Sequence, residues 1–374
     1  MLDTPLAPLR PSLSHPALPG ALERAAVAVA RLGQALDAHP LLPAFLHRTR
    51  LEAVRRQAAV DGHGIDPWHL AAMLEGLRLR MDHALHIVDR GAIFEAARTA
   101  LAMHRWLVEP DFDQEGEIQA AERHLSAAPS PSALLTAAVQ MHRWLQAGGA
   151  RPPIRAALVR FWVRQRLLPA PVPLTGPRSL GPEAPDGFAE WMCCFLDAVA
   201  DEARDYHQLL RDLERGWLGA RGKVAGRRST SRAALAIDVL ATAPLLSPTT
   251  LARAIGMSIK SATALLDGFV GDGIAVEVTH RSKRRLFGLA ALAPLRDGAA
   301  PPRRPEPGRG RGRPPLLEVE PELARSPMSL PPVTKFERPA IDYSVLEAAI
   351  AECEQVVRST KRTLDQLASV GSIT

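Results

Sequence analysis

From residue 21 to about 222 the apolar positions recur every three or four residues, the spacing that gathers side chains onto one face of a helix. The stretches 21–38, 51–60, 67–81, 92–107, 131–146, 153–167 and 188–218 carry this period. Breaks fall at His39-Pro40, Gly62-His63-Gly64, Glu109-Pro110, Gly148-Gly149 and 169–185. Asp66-Pro67 predicts a helix start, a capping carboxylate followed by proline in the first turn. Residues 1–20 are proline-rich and without period, which predicts a disordered or loosely attached segment. The pattern predicts a mainly α protein whose helical domain spans 21–222.

The pattern then tightens. Residues 232–243 place Leu235, Val239 and Leu240 on one face, a first short helix. Ser247 followed by Pro248 predicts a second helix start, and Ala252 is small enough for a close helix crossing. Gly256 supplies the left-handed backbone of a tight turn. Ser258 then caps 258–270, with Ala262, Leu265, Leu266 and Phe269 on its buried side. After Asp272-Gly273, residues 274–279 alternate as a strand, 280–284 form a tip, and 285–289 return as a second strand. The sequence therefore predicts a winged helix-turn-helix over about 231–291, within a domain at 223–292.

That arrangement carries a function. Ser258, Lys260, Ser261 and Thr263 face outward near the amino end of the second short helix's successor, where a recognition helix meets base edges and phosphates. Arg281, Lys283, Arg284 and Arg285 load the hairpin with cations that gain affinity by releasing counterions from a duplex. Charge supports the reading. Between Arg221 and Arg313 stand 17 basic and 6 acidic side chains, so this quarter of the chain is about +11 while the whole chain is +6. Arg221, Lys223, Arg227, Arg228 and Arg232 form its lead-in.

Residues 293–340 are proline- and arginine-rich and predict a linker. Within 308–315, Arg311-Gly312-Arg313-Pro314 resembles the centre of an AT-hook, whose two arginines lie in a narrow minor groove. The proline that usually precedes is replaced by Gly310. At 341–374 a final helix carries a seam of Leu346, Ile350, Cys353, Val357, Thr360, Leu364 and Leu367. It either forms a homodimeric coiled coil or docks on its own helical domain.

The remaining composition excludes several classes. The amino terminus has no apolar core of a secretory signal, and no apolar run reaches membrane-spanning length. Three cysteines, two of them adjacent, suit neither a disulfide framework nor a metal knuckle, so a cytoplasmic, nucleoid-associated protein is expected. His83 and His86, with Asp82 and Asp89, share a helix face but lack a third-ligand signal; no metal or cofactor is expected. The echo of Met103–Leu107 in Met141–Leu145 reads as two similar helix ends.

Two resemblances add to this. The order of pieces over 130–291 resembles the carboxy-terminal half of Fic-family proteins, whose active members use an HPFxxGNGR loop. Here the stretch from His142 to Arg151 lacks the proline, the acidic residue and the asparagine, so no catalytic residue is assigned. More extensively, the chain resembles rhizobial and related alphaproteobacterial proteins in which a helical domain of unknown function precedes a helix-turn-helix. The segments 53–81, 90–107, 109–122 and 278–297 and the RGRGRPP stretch carry that resemblance. It implies DNA binding. The expectation is a transcriptional regulator on double-stranded DNA; the alternatives are a divergent Fic-like nucleotidyl transferase and an adaptor using its winged helix on proteins.

Overall fold

The computed structural model describes residues 15–65, 67–77, 90–127, 132–226, 231–279, 284–292 and 355. The chain divides into two units, Met1–Lys335 and Phe336–Thr374, and the architecture below belongs to the first. The AT-hook-like segment, the heptad seam and the His83/His86 pair lie outside the described residues.

The elements run α1 (Leu18–Leu36), α2 (Leu42–Val60), α3 (Pro67–Leu74), α4 (Arg90–Val108), α5 (Phe112–Ser126), α6 (Ala133–Gln146), α7 (Arg151–Arg164) and α8 (Phe188–Val224). They continue as α9 (Ala233–Thr242), α10 (Pro248–Ile255), α11 (Ile259–Gly271), β1 (Ala275–Glu277) and β2 (Phe287–Leu289). The described chain is mainly helical, as the periodicity predicts. α1 starts at Leu18, inside the segment expected to be loose, because Leu18 and Ala21 are buried. α5 is an element that the period does not single out. It is largely polar, buries only Ile118, Ala121 and Leu125, and is started by a reciprocal cap between Asp111 and Gln114.

The long helix α8, about 55 Å at 1.5 Å per residue, is the spine. Its buried stripe of Trp191, Phe195, Val199, Tyr206, Leu210, Leu213 and Trp217 lies against α1, α6 and α9. Several polar groups inside this core are paired, as low dielectric demands. Trp162 Nε1 donates to Leu174 O at 2.8 Å, and Trp191 Nε1 to Ser179 O at 2.9 Å. The buried Glu202 carboxylate accepts from the N–H groups of Thr175 and Gly176 at 2.7 and 3.0 Å, and from the Tyr206 hydroxyl at 3.2 Å. Burial nevertheless pushes its pKa up to about 7.

Helices α9–α11 and the hairpin do not stand apart from this body. Arg48 of α2, buried, donates to the carbonyls of Ala241, Leu240 and Ala243 at 2.6, 3.1 and 3.3 Å, satisfying the carboxy end of α9. Glu75, just past α3, accepts from Ser247 N at 3.0 Å and Thr250 Oγ1 at 2.6 Å at the amino end of α10. Ala71, Ala72 and Leu77 share an apolar cluster with Leu245, Val278 and Leu286. Along α8, a Cβ on Gly216 would sit 3.2 Å from Ala291 Cβ, so glycine lets the chain after β2 approach the spine.

Candidate nucleic-acid interface

Local capping chemistry sets the geometry of α10 and α11. Ser247 Oγ accepts from Thr250 N at 3.1 Å, and Pro248 occupies the first turn. Gly256 ends α10 with φ 63°, ψ 53°, the left-handed conformation that its missing Cβ permits. Two residues later Ser258 Oγ accepts from Ser261 N at 3.1 Å and opens α11. Ala262, Leu266 and Phe269 are buried and Leu265 half-buried. α11 packs mainly on α10 and β1.

The hairpin is antiparallel, pairing Ala275 with Leu289, Val276 with Gly288 and Glu277 with Phe287. Leu246 adds an antiparallel bridge to Phe287, with both N–H···O distances at 2.9 Å. Glu277, buried, accepts from Thr279 N at 2.8 Å and from the Thr279 hydroxyl. The tip at 280–283, with Arg281 and Lys283, lies outside the described residues.

On the outer face, Ser258, Ile259, Lys260, Ser261, Ala264, Asp267 and Gly268 are exposed. The hydroxyls of Ser258 and Ser261 sit 2.8 Å apart and share the cap. Thr263 is half-buried and its hydroxyl donates to Ile259 O at 2.9 Å, so it is tied to its own helix. Arg284 is exposed, at φ 54°. Arg285, grouped with it in the sequence, is differently placed. It donates to Asp267 of α11 at 2.6 Å and its guanidinium lies 4.7 Å from the Phe287 ring centroid, which staples the second strand to α11.

The described members of the basic lead-in are likewise engaged inside the fold. Arg221 donates twice to the buried Asp238 at 3.0 Å, beside Trp217 Nε1 at 2.7 Å, and burial pushes Asp238 up to about 6. Lys223 Nζ caps the end of α11 through the carbonyls of Asp272 and Gly273 at 3.2 and 3.0 Å. Arg232 Nη1 donates to Ile255 O at the end of α10. Arg227 and Arg228 lie outside the described residues. The sequence signal that identifies these residues as basic does not identify their partners, which are carbonyls and one buried carboxylate.

Beside α11 an open groove of about 570 Å³ is lined by Ser231, Arg232, Met257, Ser261, Ala264, Leu265 and Gly268. The residues weighed for Fic-like chemistry lie elsewhere. The His142 ring packs 4.8 Å from Phe188 and 5.1 Å from Trp191, and burial lowers its pKa. Arg151 donates to Asp61 at 2.5 Å, and the buried Arg155 reaches the same carboxylate at 3.2 Å. Among the described residues no group of three or more His, Cys, Asp or Glu is placed to hold a metal ion. None of the described helices is long and apolar enough to cross a membrane.

No family model matches the chain, and no curated protein matches it in sequence.

Proposed function

We propose that α9–α11 with β1 and β2 form a winged helix-turn-helix that binds double-stranded DNA, and that the chain acts as a transcriptional regulator on the nucleoid. α11 enters the major groove. Ser258, Lys260 and Ser261 meet phosphates and base edges, while Thr263 acts through helix geometry because its hydroxyl is engaged. Arg284, with Arg281 and Lys283, meets the backbone beside the groove. Arg285 holds the wing strand against α11 rather than clamping a phosphate. Arg311 and Arg313 add a minor-groove tether, and the 341–374 helix provides the route to a homodimer. The rhizobial helix-turn-helix proteins offer the same reading by resemblance.

The observation that carries the proposal is the asymmetry of α11. Ala262, Leu266 and Phe269 are buried, while Ser258 to Ser261 stand exposed with a cation at the amino end of the helix. Phosphate is favoured there by both the unpaired N–H groups and the helix dipole. Fluorescence anisotropy of the full chain on a labelled duplex tests it. Binding at low salt that weakens in Lys260→Glu on every sequence supports the proposal; absence of binding, or identical binding by the variant, overturns it.

A further inference from the structure

Two surfaces of opposite character face solvent on this chain. Phe112, the first residue of α5, is 92% exposed. Its backbone is held by the helix start, because Asp111 before it and Gln114 after it cap each other's backbone at 2.9 and 3.1 Å. Val108, at the end of α4, is exposed beside it in sequence. Glu109, Asp111, Asp113 and Glu117 are also exposed, so the ring projects from an anionic setting. A large aromatic left in water forgoes roughly 1.5–3 kcal/mol of burial.

The second surface is the groove beside α11. Met257, Ala264, Leu265 and Gly268 give it an apolar lining, Arg232 stands on its wall, and Lys260 lies one turn before Ala264. Gly268 leaves open space there, since a Cβ built on it meets nothing within 4 Å. Aromatic knob meets apolar groove, and carboxylates meet cations. Phe112 and the groove residues Ala264 and Gly268 are exposed, and the complementary charge of the two patches suits a contact between copies.

We propose that Phe112 of one copy seats in the α11 groove of a second copy, with Glu109, Asp111 and Asp113 facing Lys260 and the exposed side of Arg232, whose Nη1 is held by Ile255 O. Such a contact is head-to-tail, because knob and groove are different patches of one surface. It is small beside a stable interface, so it is weak and concentration-dependent, and its charged rim makes it salt-sensitive. The association does not depend on DNA binding. One consequence, that self-association and duplex compete for α11, rests on the function proposed above.

Sedimentation velocity of the full chain, without DNA, at rising concentration and low salt is the test. The wild type is expected to sediment faster as concentration rises. Phe112→Ala, which lacks the knob, and Gly268→Leu, which fills the groove, are each expected to lose that rise, with a melting temperature no lower than that of the wild type. An equimolar mixture of the two variants is expected to regain association, because each supplies the half the other lacks. A concentration-independent wild type overturns the proposal. So does undiminished association in both variants, or a mixture that stays as its components. A lowered melting temperature in Phe112→Ala also overturns it, since that marks a ring covered by its own chain.

Discussion

The guanidinium of Arg48 on α2 donates to the carbonyl of Ala241 at 2.6 Å, across 193 residues of chain. With the carbonyls of Leu240 and Ala243 also held, the carboxy end of α9 is closed by a side chain of the helical body. Burial lowers the Arg48 pKa only to about 10, so it stays charged at neutral pH.

Arg48→Met keeps much of the stem but leaves those carbonyls buried without a donor. The expected loss of stability is about 2–4 kcal/mol, read by urea or thermal unfolding. Helix content below the transition should be unchanged.

The Asp267–Arg285 pair gives a prediction of the opposite sign. Asp267→Ala removes a carboxylate from the exposed side of α11 and releases a cation beside it. Duplex affinity at low salt should rise, and the dependence of log K on log salt should steepen by about one unit. Anisotropy titrations at several salt concentrations read both.

Two glycines on neighbouring helices should respond differently to alanine. Gly256 sits at φ 63°, where a Cβ collides with the backbone, so Gly256→Ala should cost about 1–2 kcal/mol. Gly268 lies inside α11 with open space around its Cα, so Gly268→Ala should stabilise by up to about 1 kcal/mol. Thermal melts of the two variants should move in opposite directions.

Stability should also carry a pH signature. Glu202 in the fold titrates near 7, above its ordinary 4.5, because burial disfavours its charge. Its contribution is therefore complete below the unfolded pKa and is lost as pH rises through about 7. Asp238, near 6, acts in the same direction. The buried His47 and His104, lowered to about 3 and 4, act oppositely, their contribution being lost as pH falls below 6.5. Between pH 6.5 and 8 the carboxyl dominates, and the wild type should lose on the order of 1 kcal/mol of unfolding free energy. Glu202→Gln should flatten that slope; urea midpoints across the range measure it.

Local chemistry was the legible part of this molecule. Ser247, Gly256 and Ser258 declare helix ends because caps and left-handed turns are satisfied within a few residues. The buried positions of α11 follow from spacing alone. Side chains whose partners lie far along the chain were not legible. Nothing near Arg48 or Glu75 says that they close the ends of α9 and α10, and nothing near Arg285 names Asp267. Composition treats Arg221, Lys223 and Arg232 as free charge, whereas the fold uses them to hold its own backbone and one carboxylate. α5 was hidden for a different reason: its start is a polar cap and its apolar stripe is only three residues deep.

The central claim, a duplex held by cations of the hairpin and α11, is tested most directly by the salt dependence of DNA binding in the full chain. Each phosphate contact contributes about 0.9 to the slope of log K against log salt. Replacing Arg281, Lys283 and Arg284 together by alanine should make that slope shallower by roughly 2–3 units and weaken binding on all sequences alike. An unchanged slope with unchanged affinity, or a wild-type chain that leaves duplex unbound at low salt, contradicts the account.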